Sequence, residues 1–321
     1  MDLSSFFHLL SIIGVLFLLM ATGFICRRTG VIDELSSKRF SGLIIKVGQP
    51  MMIIGALIEK EFDVALLREG ALYLLLGFLL HPLMALVAFL TGGLYREENE
   101  RKISQFATIF TNCGFIGFPI LEAVFPGKGS FNGAFFLIGF HVYIWTLGML
   151  ILGRGREDIR LTPKKALLNY GTVPCAIGLS LYLLKAVLPI PTFLVDFANY
   201  LGNLCLPIAV LITGALLATQ PIGAMLKNKK LYLFNAIKLL GVPLLVCALA
   251  KLATLTVADG STIVLFCTVI AALPSATTIT MLSELYDLDS AYAAQAVGSS
   301  SVLSVATLPL MYFIADLVAR L

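Results

Sequence analysis

Ten apolar segments follow one another along the 321-residue chain, and they constrain its fold more than any other feature of the sequence. The segments cover residues 6–26, 40–58, 70–92, 103–124, 133–153, 166–187, 194–218, 231–252, 261–282 and 291–318. A helix of about 20 residues crosses the roughly 30 Å hydrocarbon layer of a bilayer, so each segment predicts one transmembrane helix. Charged residues make up only 13% of the chain, which is too few to coat a soluble globule. We therefore predict an all-α membrane protein with ten transmembrane helices.

Several functional classes are excluded by the spacing of the reactive and basic residues. The six cysteines lie in or beside apolar segments without the paired spacing of a disulfide framework or a zinc site. The basic residues are spread among short loops and do not form the patch that binds nucleic acid. The sequence contains no nucleophile elbow, HExxH, Walker or GxGxxG motif, and its three histidines are widely spaced. We expect no catalysis, no cofactor, no metal and no nucleic-acid partner.

Lysine and arginine residues concentrate in alternate loops. The loops after segments one, three, five and seven carry Arg27, Arg28, Lys38, Arg39, Arg96, Arg101, Lys102, Arg154, Arg156, Arg160, Lys164, Lys165, Lys227, Lys229 and Lys230. The alternate loops carry only Lys60, Arg68, Lys128, Lys185 and Lys251. Because positively charged loops stay in the cytoplasm, we predict a multi-pass protein of the plasma or inner membrane with both termini outside.

Helix-breaking and acidic residues recur in the two halves of the chain at nearly constant offset. The pairs are Pro50 with Pro207, Pro82 with Pro243, and Asn112 with Pro274, at offsets of 157, 161 and 162, and Glu122 with Glu284, also at 162. Five spans per repeat is an odd number, so the second repeat enters the membrane with inverted orientation, as in many secondary transporters. We predict a first repeat over 1–153, a cytoplasmic connector over 154–165 and a second repeat over 166–321.

The fourth and ninth segments carry signals for broken helices. Residues 111–119 read TNCGFIGFP, and residues 273–278 read LPSATT, so glycines and prolines interrupt both segments near their middle. A break inside a membrane is tolerated mainly where protein covers it or where it lines a wet cavity. Half-helix N-termini that meet there offer N–H donors to a carboxylate, so we hypothesise an anionic substrate with Asn112 as its first contact. The alternative is that these are ordinary proline kinks and small-residue packing sites.

Other polar residues inside the segments complete the candidate site. His141 either donates a hydrogen bond or carries a proton for transport, or it is a neutral histidine bonded to a neighbouring helix. Gln49 and Asn203 either line the opposite wall of the cavity or bond across helices. The candidate substrate-binding residues are Gln49, Asn112, Cys113, Gly114, Gly117, Pro119, His141, Asn203, Pro274, Ser275, Thr277 and Thr278.

Four charged residues in or near the apolar segments receive structural interpretations. Lys46 and Lys238 are off-centre in their segments, so we expect their aliphatic stems to reach the headgroup region. Glu122 and Glu284 are expected at solvated ends near the membrane edges, although they could also cap the breaks or help to gate.

The sequence resembles the auxin efflux carrier family, whose bacterial members include malate and malonate permeases. The resemblance is carried by 112–119 (NCGFIGFP), and by 272–277 (ALPSAT), 285–287 (LYD), 307–309 (TLP) and 141–145 (HVYIW). It spans essentially all ten predicted helices. The chain departs from the plant carriers at His141, where they have a glutamine, and in segment three, where they have an acidic residue and this chain reads LYLLL over 72–76. A small carboxylate therefore suits the chain better than auxin.

The resemblance implies an architecture of two inverted five-helix repeats, similar to sodium–proton antiporters and bile acid symporters. Segments one, two, six and seven would form a scaffold, and segments three to five and eight to ten a mobile transport unit in which the broken fourth and ninth helices cross. The resemblance also implies that Asn112, the crossover around Pro274, and His141 contact the substrate carboxylate. Family members are commonly homodimers through the scaffold.

The leading hypothesis is an alternating-access transporter of a small organic anion, either a carboxylate such as malate or malonate or an auxin-like acid. Two alternatives stay open at this point. The first is a membrane receptor that binds such a ligand without moving it. The second is a sodium-coupled carrier similar to the bile acid symporters.

Overall fold

The chain forms a bundle of packed helices. A computed structural model of the protein describes residues 3–156, 159, 162, 164, 168–219, 227–257 and 259–321. The helices of the first half are α1 (Leu3–Arg28), α2 (Glu34–Ile58), α3 (Val64–Thr91), α4 (Glu98–Ile109), α5 (Gly117–Val124) and α6 (Gly129–Leu152). Those of the second half are α7 (Thr172–Leu184), α8 (Thr192–Gly202), α9 (Cys205–Leu217), α10 (Lys229–Ala253), α11 (Gly260–Ala272), α12 (Thr278–Leu285) and α13 (Ser290–Arg320).

The all-α prediction is confirmed, because every regular element among the described residues is helical. Within the described ranges, six helices are long and apolar enough to cross a membrane, namely Glu34–Ile58, Val64–Leu94, Gly129–Leu152, Thr192–Leu217, Lys229–Ala253 and Ser290–Arg320. Two apolar helices, α7 and α11, are shorter. The count of ten spans remains a prediction. Part of the predicted connector, including Arg160 and Lys165, lies outside the described residues, as do the first two residues of the predicted sixth segment.

The predicted fourth and ninth segments are each divided into two helices. The fourth consists of α4 and α5, which are separated by residues 110–116. The ninth consists of α11 and α12, which are separated by residues 273–277. We call these two stretches break 1 and break 2.

Close helix crossings in the bundle depend on glycine. Helix α1 packs on α9, and α2 packs on α7 and α8. Helix α3 packs on α6, and α11 packs on α10 and α13. A Cβ atom on Gly23 of α1 would overlap the Leu211 carbonyl of α9, and one on Gly77 of α3 would lie 2.7 Å from the Phe136 carbonyl oxygen of α6. Small residues let membrane helices approach until their backbones touch, which supplies the dispersion attraction that holds helices together in lipid.

Ion pairs and one hydrogen bond join helix ends and loops at each end of the bundle. At one end the contacts are Lys38–Asp287 at 2.6 Å, Lys230–Glu100 at 2.5 Å and Arg156 Nη2 to the Tyr286 carbonyl oxygen at 3.1 Å. At the other end they are Lys185–Glu61 at 3.0 Å and Lys128–Glu69 at 2.8 Å. The first end gathers the loops that we predict to be cytoplasmic from their basic residues. The loops after odd-numbered segments therefore lie at one end of the bundle and those after even-numbered segments at the other, as the distribution of basic residues predicts.

Three of the long helices contain a π turn, which is a wider turn whose backbone hydrogen bonds join residues five apart. The turns are Ile44–Gly48 in α2, Ile144–Gly148 in α6 and Ile237–Gly241 in α10. Such turns occur frequently at functional sites, because the wider turn redirects neighbouring side chains and frees backbone groups. Here each turn contains or lies within three residues of a buried polar side chain, which is Gln49, His141 or Lys238.

The glycine crossings predict the effect of adding a single methyl group to α1. Gly23→Ala should destabilise the protein by about 1–3 kcal/mol, because the methyl group meets the backbone of α9 and one of the two helices has to shift. Gly14→Ala in the same helix should be neutral, since nothing lies within 4 Å of the position that its Cβ would take. Thermal unfolding of both variants in detergent measures the difference. Equal melting temperatures for the two variants would contradict the crossing of α1 with α9.

Candidate functional site

The two breaks meet inside the bundle and hydrogen-bond to each other. The Asn112 N–H donates to the Pro274 carbonyl oxygen at 2.8 Å, and the Ala276 N–H donates to the Phe110 carbonyl oxygen at 2.9 Å. The two bonds form one short antiparallel pairing between break 1 and break 2. In a hydrocarbon environment, backbone groups released from a helix must find partners within the protein. Each break supplies partners for the other, so neither is stable alone.

Proline and glycine residues explain why the helices stop at these places. Pro274 has no N–H and disfavours helical geometry at the residue before it, so α11 ends at Ala272. Gly117 allows the breaks to pack closely, because a Cβ there would lie 3.1 Å from Leu273 Cδ1. Pro119 is the third residue of α5, where its missing N–H is not needed within the helix. Pro119 is therefore compatible with the start of α5, and the break lies before it.

Ser275 joins break 2 to α4 and α13 by hydrogen bonds. Its hydroxyl donates to the Ala107 carbonyl oxygen near the end of α4 at 2.9 Å, and its backbone N–H donates to Ser300 Oγ of α13 at 3.2 Å. The hydroxyl and the N–H of Ser275 thus both donate to other parts of the protein. The neighbouring residue Thr277 is also buried, but its hydroxyl has no hydrogen-bond partner among the described residues.

A small cavity lies where the two breaks face α2 and α6. It is lined by Gln49, Met52, Thr111, Asn112, Gly114, Phe115, Leu137, Phe140, His141, Ala276 and Thr278. With a volume of about 10 Å³, the cavity has room for about one water molecule. Among these lining residues, the polar groups are amides, hydroxyls, one imidazole and backbone groups, and none is a carboxylate, an ammonium or a guanidinium.

Hydrogen-bond donors without partners face this part of the bundle. Gln49 Nε2 lies 3.3 Å from His141 Nδ1. With the Gln49 amide in this orientation, its nitrogen donates to Nδ1 and the imidazole proton is on Nε2. His141 Nε2 and Asn112 Nδ2 are both buried and have no partner within the described part of the chain. A buried donor without a partner costs about 1–3 kcal/mol, so two of them beside one cavity indicate a place for a hydrogen-bond acceptor.

The structure gathers most of the candidate residues but not all of them. Five line the cavity, namely Gln49, Asn112, Gly114, His141 and Thr278. Five others belong to the breaks or to the first residue after one, namely Cys113, Gly117, Pro274, Ser275 and Thr277. Pro119 lies in α5, and Asn203 is exposed between α8 and α9 and does not line the cavity. The apolar part of the lining, formed by Met52, Phe115 and Phe140, could not be predicted. A sequence does not distinguish apolar residues that line a cavity from those that pack in the core.

The expectation that Lys238 reaches the headgroup region is wrong. Its side chain is fully buried, and Nζ donates to the Ala271 carbonyl oxygen at 3.3 Å. The reason is packing, because α10 is covered by α11 and α13 on the side that carries Lys238. Lys46, by contrast, is exposed. The sequence did contain a signal for a functional role of Lys238, because a lysine within an apolar segment is rare in membrane helices.

The expectation of a solvated end is also wrong for Glu284. Only 8% of this residue is exposed, and its carboxylate accepts hydrogen bonds from Ser37 Oγ at 2.8 Å and Ser41 Oγ at 2.5 Å. The cause is that α12 packs against the beginning of α2. Glu122, its counterpart in the first half, instead accepts the backbone N–H groups of Gly127, in the turn before α6, and of Ser130, in the first turn of α6.

The arrangement does not resemble a metal centre. Among the described residues, no group of three or more histidine, cysteine, aspartate or glutamate side chains is placed to hold a metal ion. What the site offers is a set of neutral donors and the N-terminal ends of α5 and α12, which begin beside the cavity. Such ends carry partial positive charge and attract anions.

Comparison with known protein families gives one match. A family described as "Membrane transport protein" matches the chain over residues 9–166 and 157–312. The two matched stretches together cover nearly the whole chain. No curated protein matches it significantly.

The unpartnered hydroxyl of Thr277 predicts an unusual response to substitution. Thr277→Val should leave the stability unchanged or raise it by about 1 kcal/mol, because it removes a buried hydroxyl that has no partner. Thr280→Val in α12, three residues further along the chain, is the matched control, since the Thr280 hydroxyl is equally buried and donates to the Thr277 carbonyl oxygen at 2.6 Å. The control should lower the melting temperature. If Thr277→Val destabilises as much as Thr280→Val, the Thr277 hydroxyl has a hydrogen-bond partner in the folded protein and the prediction fails.

Proposed function

Since the chain belongs to the membrane transport protein family of the auxin efflux carriers, we propose that it carries a small organic anion across the membrane by alternating access. The substrate in this proposal is a carboxylate such as malate or malonate, or an auxin-like acid. Membrane transport follows from the family, which also favours transport over the receptor alternative. The substrate class and the mechanism are the proposal, and they are supported by the geometry of the breaks.

The observation that carries the substrate class is the pair of unpartnered donors, Asn112 Nδ2 and His141 Nε2. A carboxylate accepts hydrogen bonds on both oxygens and can therefore satisfy both donors at once. The N-terminal ends of α5 and α12 add partial positive charge at the same place. A substrate cation would find neither a carboxylate nor any other negative side chain among the lining residues. The site is therefore suited to an anion.

The small size of the cavity supports a mechanism in which parts of the protein move to admit substrate. At about 10 Å³ it cannot hold a dicarboxylate, so its walls must separate before substrate enters. Gln49 and Met52 of α2 form one wall, and the two breaks together with α6 form the other. Separation of α2 from the breaks is the smallest motion that opens the site. Exposure to one face of the membrane and then to the other would complete a transport cycle.

The packing of the helices suggests which parts move. We propose that α1, α2 and α7–α9 form the scaffold and that α3–α6 and α10–α13 form the transport unit. The support is that α1 packs on α9 and α2 on α7 and α8, whereas α3 packs on α6 and α11 on α10 and α13. In this proposal the chain has ten spans in two inverted repeats, 1–153 and 166–321, with crossing fourth and ninth helices. A homodimer through the scaffold is part of the same proposal and rests on the resemblance alone.

A polar contact between the two units would have to break during transport. Ser37 and Ser41 of α2 donate to Glu284 of α12, and Lys38 pairs with Asp287 directly after α12 at 2.6 Å. These residues adjoin a cavity of about 400 Å³ at the end of the bundle that carries the basic loops. In this proposal the contact opens before substrate passes between that cavity and the breaks. Water from the cavity can replace the hydrogen bonds of Ser37 and Glu284, because both residues line it.

Transport in liposomes tests the proposal. Purified protein should take up radiolabelled malate in a saturable manner, and malonate or succinate should compete more strongly than indole acetate. Asn112→Ala should raise the apparent KM by roughly 10- to 100-fold, because losing a hydrogen bond to a charged group costs about 1.5–3 kcal/mol. Asn99→Ala removes an amide from an exposed position and serves as the control.

Two outcomes would count against the proposal. Uptake by Asn112→Ala with the apparent KM of the wild type would remove Asn112 from the binding site. Thermal stabilisation by malate without any uptake, under imposed proton and sodium gradients as well as without them, would favour the receptor alternative.

A further inference from the structure

Lys238 is a buried lysine that the proposed substrate site does not use. It lies in the π turn of α10, is fully buried, and does not line the cavity. Its Nζ donates to the carbonyl oxygen of Ala271, the residue before the last in α11. In the part of the chain that the structure describes, no carboxylate lies within ion-pair distance of it. Burying an ammonium without a carboxylate is costly, so a charged Lys238 requires another source of negative potential.

The C-terminal end of α11 supplies that potential. The last carbonyl groups of a helix have no donor within the helix, and together they carry about −0.5 elementary charge. Two such ends, those of α4 and α11, point into the breaks. Near the end of α4, the Ala107 carbonyl oxygen accepts from the Ser275 hydroxyl at 2.9 Å, and the Phe110 carbonyl oxygen accepts from Ala276 N at 2.9 Å. At the end of α11 the donor is Lys238.

In membrane carriers with broken helices, the C-terminal ends of half-helices and the unwound carbonyl groups commonly coordinate the coupling cation. An ammonium group and a sodium ion both satisfy carbonyl oxygens with one positive charge. The π turn widens α10 at the position of Lys238, next to the end of α11. Lys238 of α10 therefore brings a positively charged group to the end of α11, where a carrier of this kind would coordinate a free cation.

We propose that the Lys238 ammonium occupies a monovalent-cation site at the C-terminal end of α11, in place of a bound sodium ion. The positive charge in the site is then carried by the protein itself, and it partly offsets the charge of an anion held beside the breaks. Ligand binding and transport need no sodium. The independence of ligand binding and transport from sodium rests on the proposed function, whereas the cation site itself does not.

The cation site is tested on purified protein without substrate. Melting temperatures are compared in sodium chloride, methylammonium chloride and choline chloride at equal ionic strength. The wild type should melt at the same temperature in sodium and in choline. Lys238→Ala opens space beside the Ala271 carbonyl group, so it should melt lower in choline and recover several degrees in sodium or methylammonium. Lys46→Ala, an exposed lysine in the π turn of α2, should behave as the wild type in every salt.

Two results would overturn the cation site. One is a wild type that sodium stabilises over choline, since a free sodium site would then exist. The other is a Lys238→Ala variant that responds equally to all three salts. If Lys238→Ala does not fold, a wild type that sodium stabilises over choline still overturns the proposal, and Lys238→Met tests the charge itself. Lys238→Met fills the same space without charge, and it should respond to no cation and bind malate at least tenfold more weakly.

Failure of this inference is distinguishable from failure of the proposed function. Malate uptake by the wild type that requires sodium would refute the built-in cation and leave the carboxylate transporter intact. A salt response of Lys238→Ala as described, without uptake of any carboxylate, would support the cation site and refute the proposed substrate.

Discussion

The backbone pairing between the two breaks is the interaction on which the rest of the structure depends. Two hydrogen bonds, Asn112 N–H to Pro274 and Ala276 N–H to Phe110, let two helices stop in the middle of an apolar bundle. Without water as an alternative partner, an unpaired break would cost several kcal/mol per backbone group. The pairing therefore fixes the positions of four helix ends at once. It creates a polar region where the surrounding sequence would otherwise form a continuous hydrocarbon core.

The charge distribution of the site follows from the direction of these four ends. The N-terminal ends of α5 and α12 give the cavity side partial positive charge, and the donors of Asn112 and His141 reinforce it. The C-terminal ends of α4 and α11 give partial negative charge, which Lys238 meets at Ala271. The proposed anion and the Lys238 ammonium thus have separate places on the same pair of breaks. The π turns of α2, α6 and α10 bring Gln49, His141 and Lys238 to these places.

Much of this arrangement could be predicted from the sequence, but its contacts could not. The apolar segments predicted the helices, and the glycines and prolines predicted both breaks, because these signals are local. Burial of Lys238 and Glu284 was missed, since it depends on which face of α10 meets α11 and on α12 reaching α2. Asn203 was chosen by its spacing from a proline, yet it is exposed, because spacing does not say which side of a helix faces the bundle.

The central claim is that a substrate carboxylate is bound by the donors beside the breaks, and the imidazole of His141 reports on this most directly. The chain contains only three histidines, so ¹⁵N-histidine labelling gives a spectrum that the His141→Gln variant assigns. We predict that adding malonate or malate shifts the Nε2 signal of His141, in proportion to occupancy, and leaves the other two histidines unchanged. A Nε2 signal of His141 that stays the same while the protein takes up malate would place the substrate elsewhere and contradict the account.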